Sequence, residues 1–232
     1  MAGCGCLPTL ESFTMCSAGT CPLHAVTAYN QSEFFNLMKT FLSGKPLSDW
    51  MSMEENHSAI SPASIVTVKG WSISGRFPVG ICSYLAKLRI LRVGYNNLYG
   101  DILHSIVNCS QLEQLNMTSL YLEGMFADFS KLKSLKVLDM SYNLFRGDFP
   151  MSITNLTSIE LLNFNQIGEL KPWKFPKTIL MMDLKVLILT CCMLYGPVPT
   201  ITGNMSSLVN LLLDGNFLEG KIPADIGLLK NL

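Results

Sequence analysis

The feature that most limits how this chain can fold is an apolar frame that restarts about every 24 residues. Read from Leu88 it runs Leu88-x-x-Leu91-x-Val93-x-x-Asn96-x-Leu98-x-Gly100-x-Ile102. The frame restarts at Leu112, Leu135, Ile159, Leu184 and Leu208, and Leu232 holds the first position of another turn. A weaker copy begins at Ala63 and keeps Val66, Val68, Trp71, Ile73, Gly75, Phe77 and Pro78 in frame. A unit this short cannot bury its own apolar face and must stack on its neighbours. Residues 63–232 are therefore expected to form a solenoid of about seven coils.

Each position of the frame has a physical reading. The x-Leu-x-Leu-x alternation predicts a short strand, and strands of successive coils pair in parallel to line one concave face. The Asn position (Asn96, Asn143, Asn216) is expected to turn inward and bond backbone groups that a sharp turn leaves unpaired. Glycines four residues later (Gly75, Gly100, Gly124, Gly147, Gly196, Gly220) permit a tight bend or positive φ. Leu120, Ile167 and Cys192 stand where Asn is expected. Cysteine is an accepted substitute there, but Leu and Ile are not, so the amide ladder should break at two coils. The copy from Ile159 carries Lys171-Pro172-Trp173-Lys174-Phe175-Pro176 in place of its glycine turn, which predicts a bulged or looped-out coil.

The segments Gly75-Arg-Phe77-Pro78, Gly147-Asp-Phe149-Pro150, Gly196-Pro-Val198-Pro199 and Gly220-Lys-Ile222-Pro223 resemble the plant extracellular class of leucine-rich repeats. The resemblance implies an α/β repeat solenoid, with a parallel β-sheet on the concave face, a second short strand after the glycine, and short helices or 3-10 turns outside. Ser32 to Leu42 reads as an amphipathic helix with Ser32 as N-cap, followed by Leu47-Ser-Asp-Trp50. This is similar to the N-terminal helical cap of the same receptors and sets a cap at 31–62 behind a leader-like, unstructured segment at 1–30. The cysteine pair that normally follows the cap tryptophan is missing from Met51 to Ala63. Losing such a staple typically costs about 2–5 kcal/mol.

A narrower resemblance follows from Gln31 to Thr40, Gly80-Ile-Cys82-Ser-Tyr84, Leu115 to Leu122, Thr190 to Leu194 and Ser207 to Leu218. These stretches are similar to the plant receptor kinases that perceive C-terminally encoded peptides. The resemblance implies a plasma-membrane receptor that binds a secreted peptide, or a co-receptor ectodomain, through its concave face and signals through a cytoplasmic serine/threonine kinase. No Gly-x-Gly-x-x-Gly, His-Arg-Asp or Asp-Phe-Gly motif is present, so no enzyme activity is expected of this chain. The expected product is a truncated ligand-binding part whose uncapped C-terminal end could self-associate. Two other readings stay open: a secreted protein-binding repeat protein similar to polygalacturonase inhibitors, and a fragment without independent function.

Composition narrows the remaining classes. Lys+Arg and Asp+Glu both number 17, which argues against a nucleic-acid partner held by phosphate contacts. The longest apolar run, Val186 to Tyr195, is about half of the roughly 20 residues a membrane span needs. The first residues lack the basic start and unbroken apolar stretch of a secretory signal. The eight cysteines lack metal-ligand spacing, and His24, His57 and His104 lack a nucleophile partner, so neither metal nor cofactor is expected.

Three groups of residues are candidates for function. Asn30, Asn56, Asn108, Asn116, Asn155 and Asn204 each open an Asn-x-Ser/Thr sequon. Asn108, Asn155 and Asn204 share one outer position of the repeat and are the favoured glycosylation candidates with Asn30 and Asn56, whereas Asn116 falls on a concave strand. Cys82 and Cys109 occupy neighbouring outer positions and are either a disulfide or two buried thiols. Solvent-facing strand positions include Arg92, Tyr95, Gln114, Asn116, Asp139, Tyr142, Asn163, Asp214 and Gly215. Arg92, Tyr95, Gln114, Asp139, Tyr142 and Asp214 are the ligand-binding candidates, with Arg92, Tyr95 and Tyr142 foremost; the alternative is an ordinary solvated sheet face.

Overall fold

The computed structural model describes residues 65–67, 74–77, 80–100, 102–198 and 205–232. The leader-like segment, the cap and the sequons at Asn30, Asn56 and Asn204 lie outside them. Coils are numbered here from the copy at Ala63 (coil 1) to that at Leu208 (coil 7).

One inner strand per coil builds a seven-stranded parallel sheet: Ile65–Thr67, Ile90–Arg92, Gln114–Asn116, Val137–Asp139, Leu161–Asn163, Val186–Ile188 and Asn210–Leu212. Its register repeats the sequence frame without drift, with Leu91 against Leu115, Leu115 against Leu138, Leu138 against Leu162 and Leu162 against Leu187. These five leucines are almost fully buried, as alternation along a strand requires. Just before each strand, one carbonyl accepts two amides of the next coil. Arg89 O takes Glu113 N (2.7 Å) and Gln114 N (3.0 Å), and Glu113, Lys136, Glu160 and Lys185 repeat the pattern.

The second strands follow another register. Gly75 pairs with Leu98, Gly124 with Phe145 and Gly196 with Leu218, each two residues short of the equivalent glycine at 100, 147 or 220. Two sheets with different stagger cannot both be satisfied by pure translation of a coil, so successive coils must rotate. The frame glycines supply the bend, with φ between 84° and 139° at all six positions.

Among the described residues the flanking strands form three separate sheets, broken between coils 2 and 3 and again within coil 5. Ile167–Leu170 pairs back to coil 4 with a register irregularity between Ile167 and Glu169, while Trp173–Lys174 pairs forward to coil 6. Pro172 lies between the two short strands and has no amide to offer a ladder. Trp173 is buried, donates its Nε1–H to Cys192 O (2.7 Å) and stacks on Phe149 with ring centroids 3.7 Å apart. The irregular coil is thus a packed junction where the second sheet changes partner.

The outer side carries short helices at Ile81–Tyr84 and Ile102–Ile106, then 3-10 turns at Phe129–Lys131, Met151–Asn155 and Ala224–Leu228. Two of the 3-10 turns follow Pro150 and Pro223, whose fixed φ suits a helix start. Cys82 and Cys109 are joined as a disulfide between coils 1 and 2, with Cα atoms 5.0 Å apart. The core runs unbroken from Phe77 to Leu229 and includes contacting rings of Phe126, Phe129, Phe145, Phe149 and Phe164. In coil 7, Leu211, Leu213 and Leu218 are only half-buried, although Leu187, Leu189 and Leu194 one coil earlier are buried.

The Asn position joins coils in pairs. Asn143 Nδ2 donates to Met140 O (2.7 Å) and Ser141 O (3.2 Å) in its own coil and to Met117 O (2.8 Å) in the coil before. Its Oδ1 accepts from Leu120 N and Leu122 N of that earlier coil. Asn216 repeats the arrangement around Leu189 O, Cys192 N and Leu194 N. Leu120 and Ile167 are buried and cannot bond in this way, so the ladder is interrupted at coils 3 and 5. The Cys192 thiol substitutes in part by donating to Phe164 O at 2.9 Å, and burial pushes its pKa up to about 12. Where Asn is missing, the following residue is left-handed (Tyr121, Gly168 and Met193); after Asn96, Asn143 and Asn216 it is not. Without the amide the backbone closes the turn by a different path.

A row of alternating charge borders the inner sheet. Arg89, Glu113, Lys136, Glu160 and Lys185 each follow the first apolar residue of their coil. Arg89 Nε meets Glu113 Oε1 at 2.6 Å and Lys185 Nζ meets Glu160 Oε2 at 2.7 Å. Lys136 adds attraction to both glutamates.

Two outcomes follow. Asn143→Ala should cost about 3 kcal/mol in urea unfolding, because buried amides and carbonyls of two coils lose their partner at once. The hydrogen bonds from Arg89 and Lys185 hold Glu113 and Glu160 below the ordinary glutamate range. A depressed carboxylate stabilises above its unfolded pKa, and that contribution is lost as pH falls through the folded one. The thermal midpoint should therefore drop on acidification below the ordinary glutamate range, and molar salt should shrink the drop by screening exposed charges. An equal acid slope in Glu113→Gln/Glu160→Gln would count against this origin.

Candidate functional site

The concave face is ordered in rows, because each inner strand offers the same two outward positions. The first outward position reads Ile65, Ile90, Gln114, Val137, Leu161, Val186 and Asn210. From Ile90 to Val186 these side chains are half-buried, forming a mostly aliphatic stripe beside the charge row. The second outward position reads Thr67, Arg92, Asn116, Asp139, Asn163, Ile188 and Leu212.

Local bonds hold the polar row in place. Asp139 Oδ1 accepts from Ser141 N (3.1 Å) and Ser141 Oγ (2.6 Å), while its Oδ2 accepts from Asn116 Nδ2 (3.4 Å). Asn163 Oδ1 accepts from Asn165 N at 3.0 Å, the same two-residue loop. Arg92 Nη2 donates to Gln114 Oε1 of the next coil. Asn165 Nδ2 donates to Tyr142 Oη at 3.1 Å, bringing a phenol of coil 4 and an amide of coil 5 together.

Past the strand, Tyr95, Ser119, Tyr142, Gln166, Cys191 and Gly215 all have positive φ. The ladder continues through them, as in Tyr95 N to Thr118 O (2.7 Å) and Tyr142 N to Asn165 O (2.9 Å). A left-handed non-glycine residue usually costs roughly 1–2 kcal/mol. Because the conformation recurs in every coil from 2 to 7, it belongs to the architecture and is not strain stored at one site. Tyr95 and Tyr142 are each 44% exposed, while Ser119 between them is nearly buried.

The sequence candidates do not all converge. Arg92 and Gln114 bond directly, Asp139 is linked through Asn116, and Tyr142 stands at the end of the polar row with Asn165. Asp214 lies apart on coil 7, where it accepts from Thr190 Oγ1 at 2.8 Å. Asn108 and Asn155 are exposed on the outer side. Asn116 is half-buried on the concave face. Sequence reasoning missed the aliphatic stripe of Ile90, Val137, Leu161 and Val186, and the charge row, although the alternation Arg-Glu-Lys-Glu-Lys is visible once the frame is aligned. Among the described residues no group of His, Cys, Asp and Glu is placed to hold a metal ion, and no helix is long and apolar enough to cross a membrane.

Asp139→Ala should destabilise by about 1–2 kcal/mol in chemical unfolding, since the buried Ser141 hydroxyl, its amide N–H and a carboxamide lose one acceptor. Asp139→Asn, which keeps an acceptor for Ser141, should recover most of that loss; equal loss in both variants would show that the charge itself matters.

Comparison with known proteins gives this geometry its context. A family model described as Leucine Rich Repeat matches residues 134–156. The receptor protein-tyrosine kinase CEPR1 of Arabidopsis thaliana is 43% identical over 184 residues, 74% of this chain and 19% of that protein. The chain thus spans about a fifth of the curated relative it matches. A TDR receptor structure aligns with TM-score 0.66 at 29% identity, covering 73% of this chain and 29% of that one. The plant peptide hormone receptor RGFR1, solved in complex with RGF2, aligns with TM-score 0.60 at 25% identity over 69% of this chain and 26% of its own.

Proposed function

We propose, from the premise that this chain is a leucine-rich-repeat solenoid of the plant receptor-kinase ectodomain type, that it forms part of an extracellular surface for a secreted peptide. The observation that carries the reading is the concave face: a mostly aliphatic stripe between a row of alternating charge and a row of bonded Arg, Asn, Asp and Tyr side chains. The inner strands are paired to both neighbours from coil 2 to coil 6. Their backbone edges are unavailable to a peptide, so recognition must use side chains, with the peptide lying across the strands.

In that pose the stripe takes apolar residues of the peptide, and Arg92, Asn116, Asp139 and Tyr142 meet its backbone and polar groups. Tyr95 and Tyr142 stand two coils apart, about 10 Å at ordinary strand spacing, a reach of roughly three extended residues. RGFR1 holds RGF2 in its solved complex, and the overall likeness supports a peptide ligand for this chain too. The relatives are several times longer, so co-receptor engagement and signalling belong to the larger protein under this reading. Exposure at the cell surface is part of the same proposal.

The test is calorimetric titration of the folded full chain with a synthetic peptide of the C-terminally encoded class. Tyr142→Ala should weaken binding by about 2 kcal/mol, roughly 30-fold, if it is an anchor of the kind aromatic side chains provide. Arg92→Ala should also weaken it. A folded chain that binds no peptide, or binds equally after both substitutions, would rule out this face as the site.

A further inference from the structure

We propose that Asn108 is an N-glycan acceptor whose occupancy is decided by a race with closure of the Cys82–Cys109 bridge. The inference rests on the extracellular reading above and adds a point of control within it. Asn108-Cys109-Ser110 and Asn155-Leu156-Thr157 occupy the same outer position of coils 2 and 4. In both, the Asn and the hydroxyl residue are exposed and the middle residue is buried, Cys109 at 5% and Leu156 at 0%.

The first sequon is tied down through consecutive turns. Cys109 N donates to Ile106 O (2.9 Å), Ser110 N to Asn108 O (3.0 Å) and Leu112 N to Cys109 O (2.9 Å). The acceptor nitrogen, Asn108 Nδ2, itself donates to His104 O at 3.3 Å, and Lys131 Nζ reaches Asn108 Oδ1 at 3.4 Å. A transferase must hold the Asn amide and the Ser hydroxyl in one active site, which a wound segment with a buried middle residue does not allow. Both sequons must therefore be modified before their coil closes or while it opens.

What separates them is covalent. Coil 4 is held at Leu156 by packing, which local opening can reverse. Coil 2 is held at the middle residue of its sequon by a bond to Cys82, 27 residues earlier. Cys82 is already available when Cys109 emerges, so the bridge can form as soon as the sequon has been synthesised. Its formation transfers two electrons and two protons from the thiols to a disulfide donor, which leaves as a dithiol. In the competing step Asn108 Nδ2 attacks the anomeric carbon of a lipid-pyrophosphate-linked oligosaccharide. The new N–C bond replaces the C–O bond to pyrophosphate, the lipid pyrophosphate departs, and one amide proton is released. Once the bridge closes, the sequon is withdrawn.

The experiment is expression of the full chain behind a cleavable secretory leader, with site occupancy read by glycopeptide mass spectrometry and gel mobility. Cys82→Ser leaves the sequon intact and removes the bridge. It should add a glycan-sized step that Ser110→Ala abolishes, with Asn155 occupancy unchanged. Dithiothreitol during synthesis of the unaltered chain should give the same gain. Leu85→Ala, which loosens the coil that carries Cys82 without touching either cysteine, should not; an equal gain there would assign the effect to general misfolding and overturn the proposal. So would an Asn108 that carries no glycan in any form, or carries the same amount with and without the bridge. The leader delivers the chain by construction, so these results stand apart from natural secretion, which expression without the added leader reads separately.

Discussion

The turn that leaves each inner strand directs backbone amides and carbonyls into the core, where water cannot serve them. Asn143 answers five such groups with one side chain, three of them in the preceding coil. A carboxamide is suited to this because it both donates and accepts, and its reach spans one strand spacing. Burying those groups unpaired would cost more than the leucine packing around them gains per residue, so the stacked architecture depends on this bond set. Where the amide is absent the chain does not leave the turn unchanged. At Tyr121, Gly168 and Met193 it adopts a second left-handed residue.

The two sheets explain why a simple repeat yields a twisted body. The inner sheet keeps the sequence register, while the flanking pairings between coils 1 and 2, 3 and 4, and 6 and 7 slip by two residues. Coil 5 divides its second strand, with Pro172 between the pieces and Trp173 packed on Phe149, so that one piece pairs back to coil 4 and the other forward to coil 6. An apparent defect in the repeat is therefore a place where the flanking strand changes partner. It leaves the concave face undisturbed, since the inner strand Leu161–Asn163 keeps its pairing on both sides.

On the concave face, the residues of the proposed peptide surface also serve the architecture. Asp139, Asn116 and Asn163 terminate local backbone loops and also form the polar row a ligand would meet. Such side chains are preorganised, which lowers the ordering cost of binding. The charge row beside them alternates in sign, and its ion pairs fix one coil against the next. Under the proposed reading, specificity comes from shape and from the Arg92 guanidinium and the exposed rings of Tyr95 and Tyr142.

The amino-acid sequence by itself determined the coil count, the strand positions, the glycine bends and the two breaks in the amide ladder. Each depends on contacts within one repeat or between identical positions of adjacent repeats, so aligning the frame was enough. It also marked Arg92, Gln114 and Asp139 as outward-facing, because strand alternation decides that locally, whereas Tyr142 is turned outward by the left-handed residue after the strand. Only the tertiary structure decided that Arg92 turns to Gln114, that Tyr142 meets Asn165, and that Asp214 stands apart. It also decided between bridge and thiols at Cys82 and Cys109, and between loop and packed junction at Trp173. These outcomes rest on distances between side chains of different coils, which are set by the stagger of the two sheets and the rotation it imposes, and no single repeat encodes that rotation.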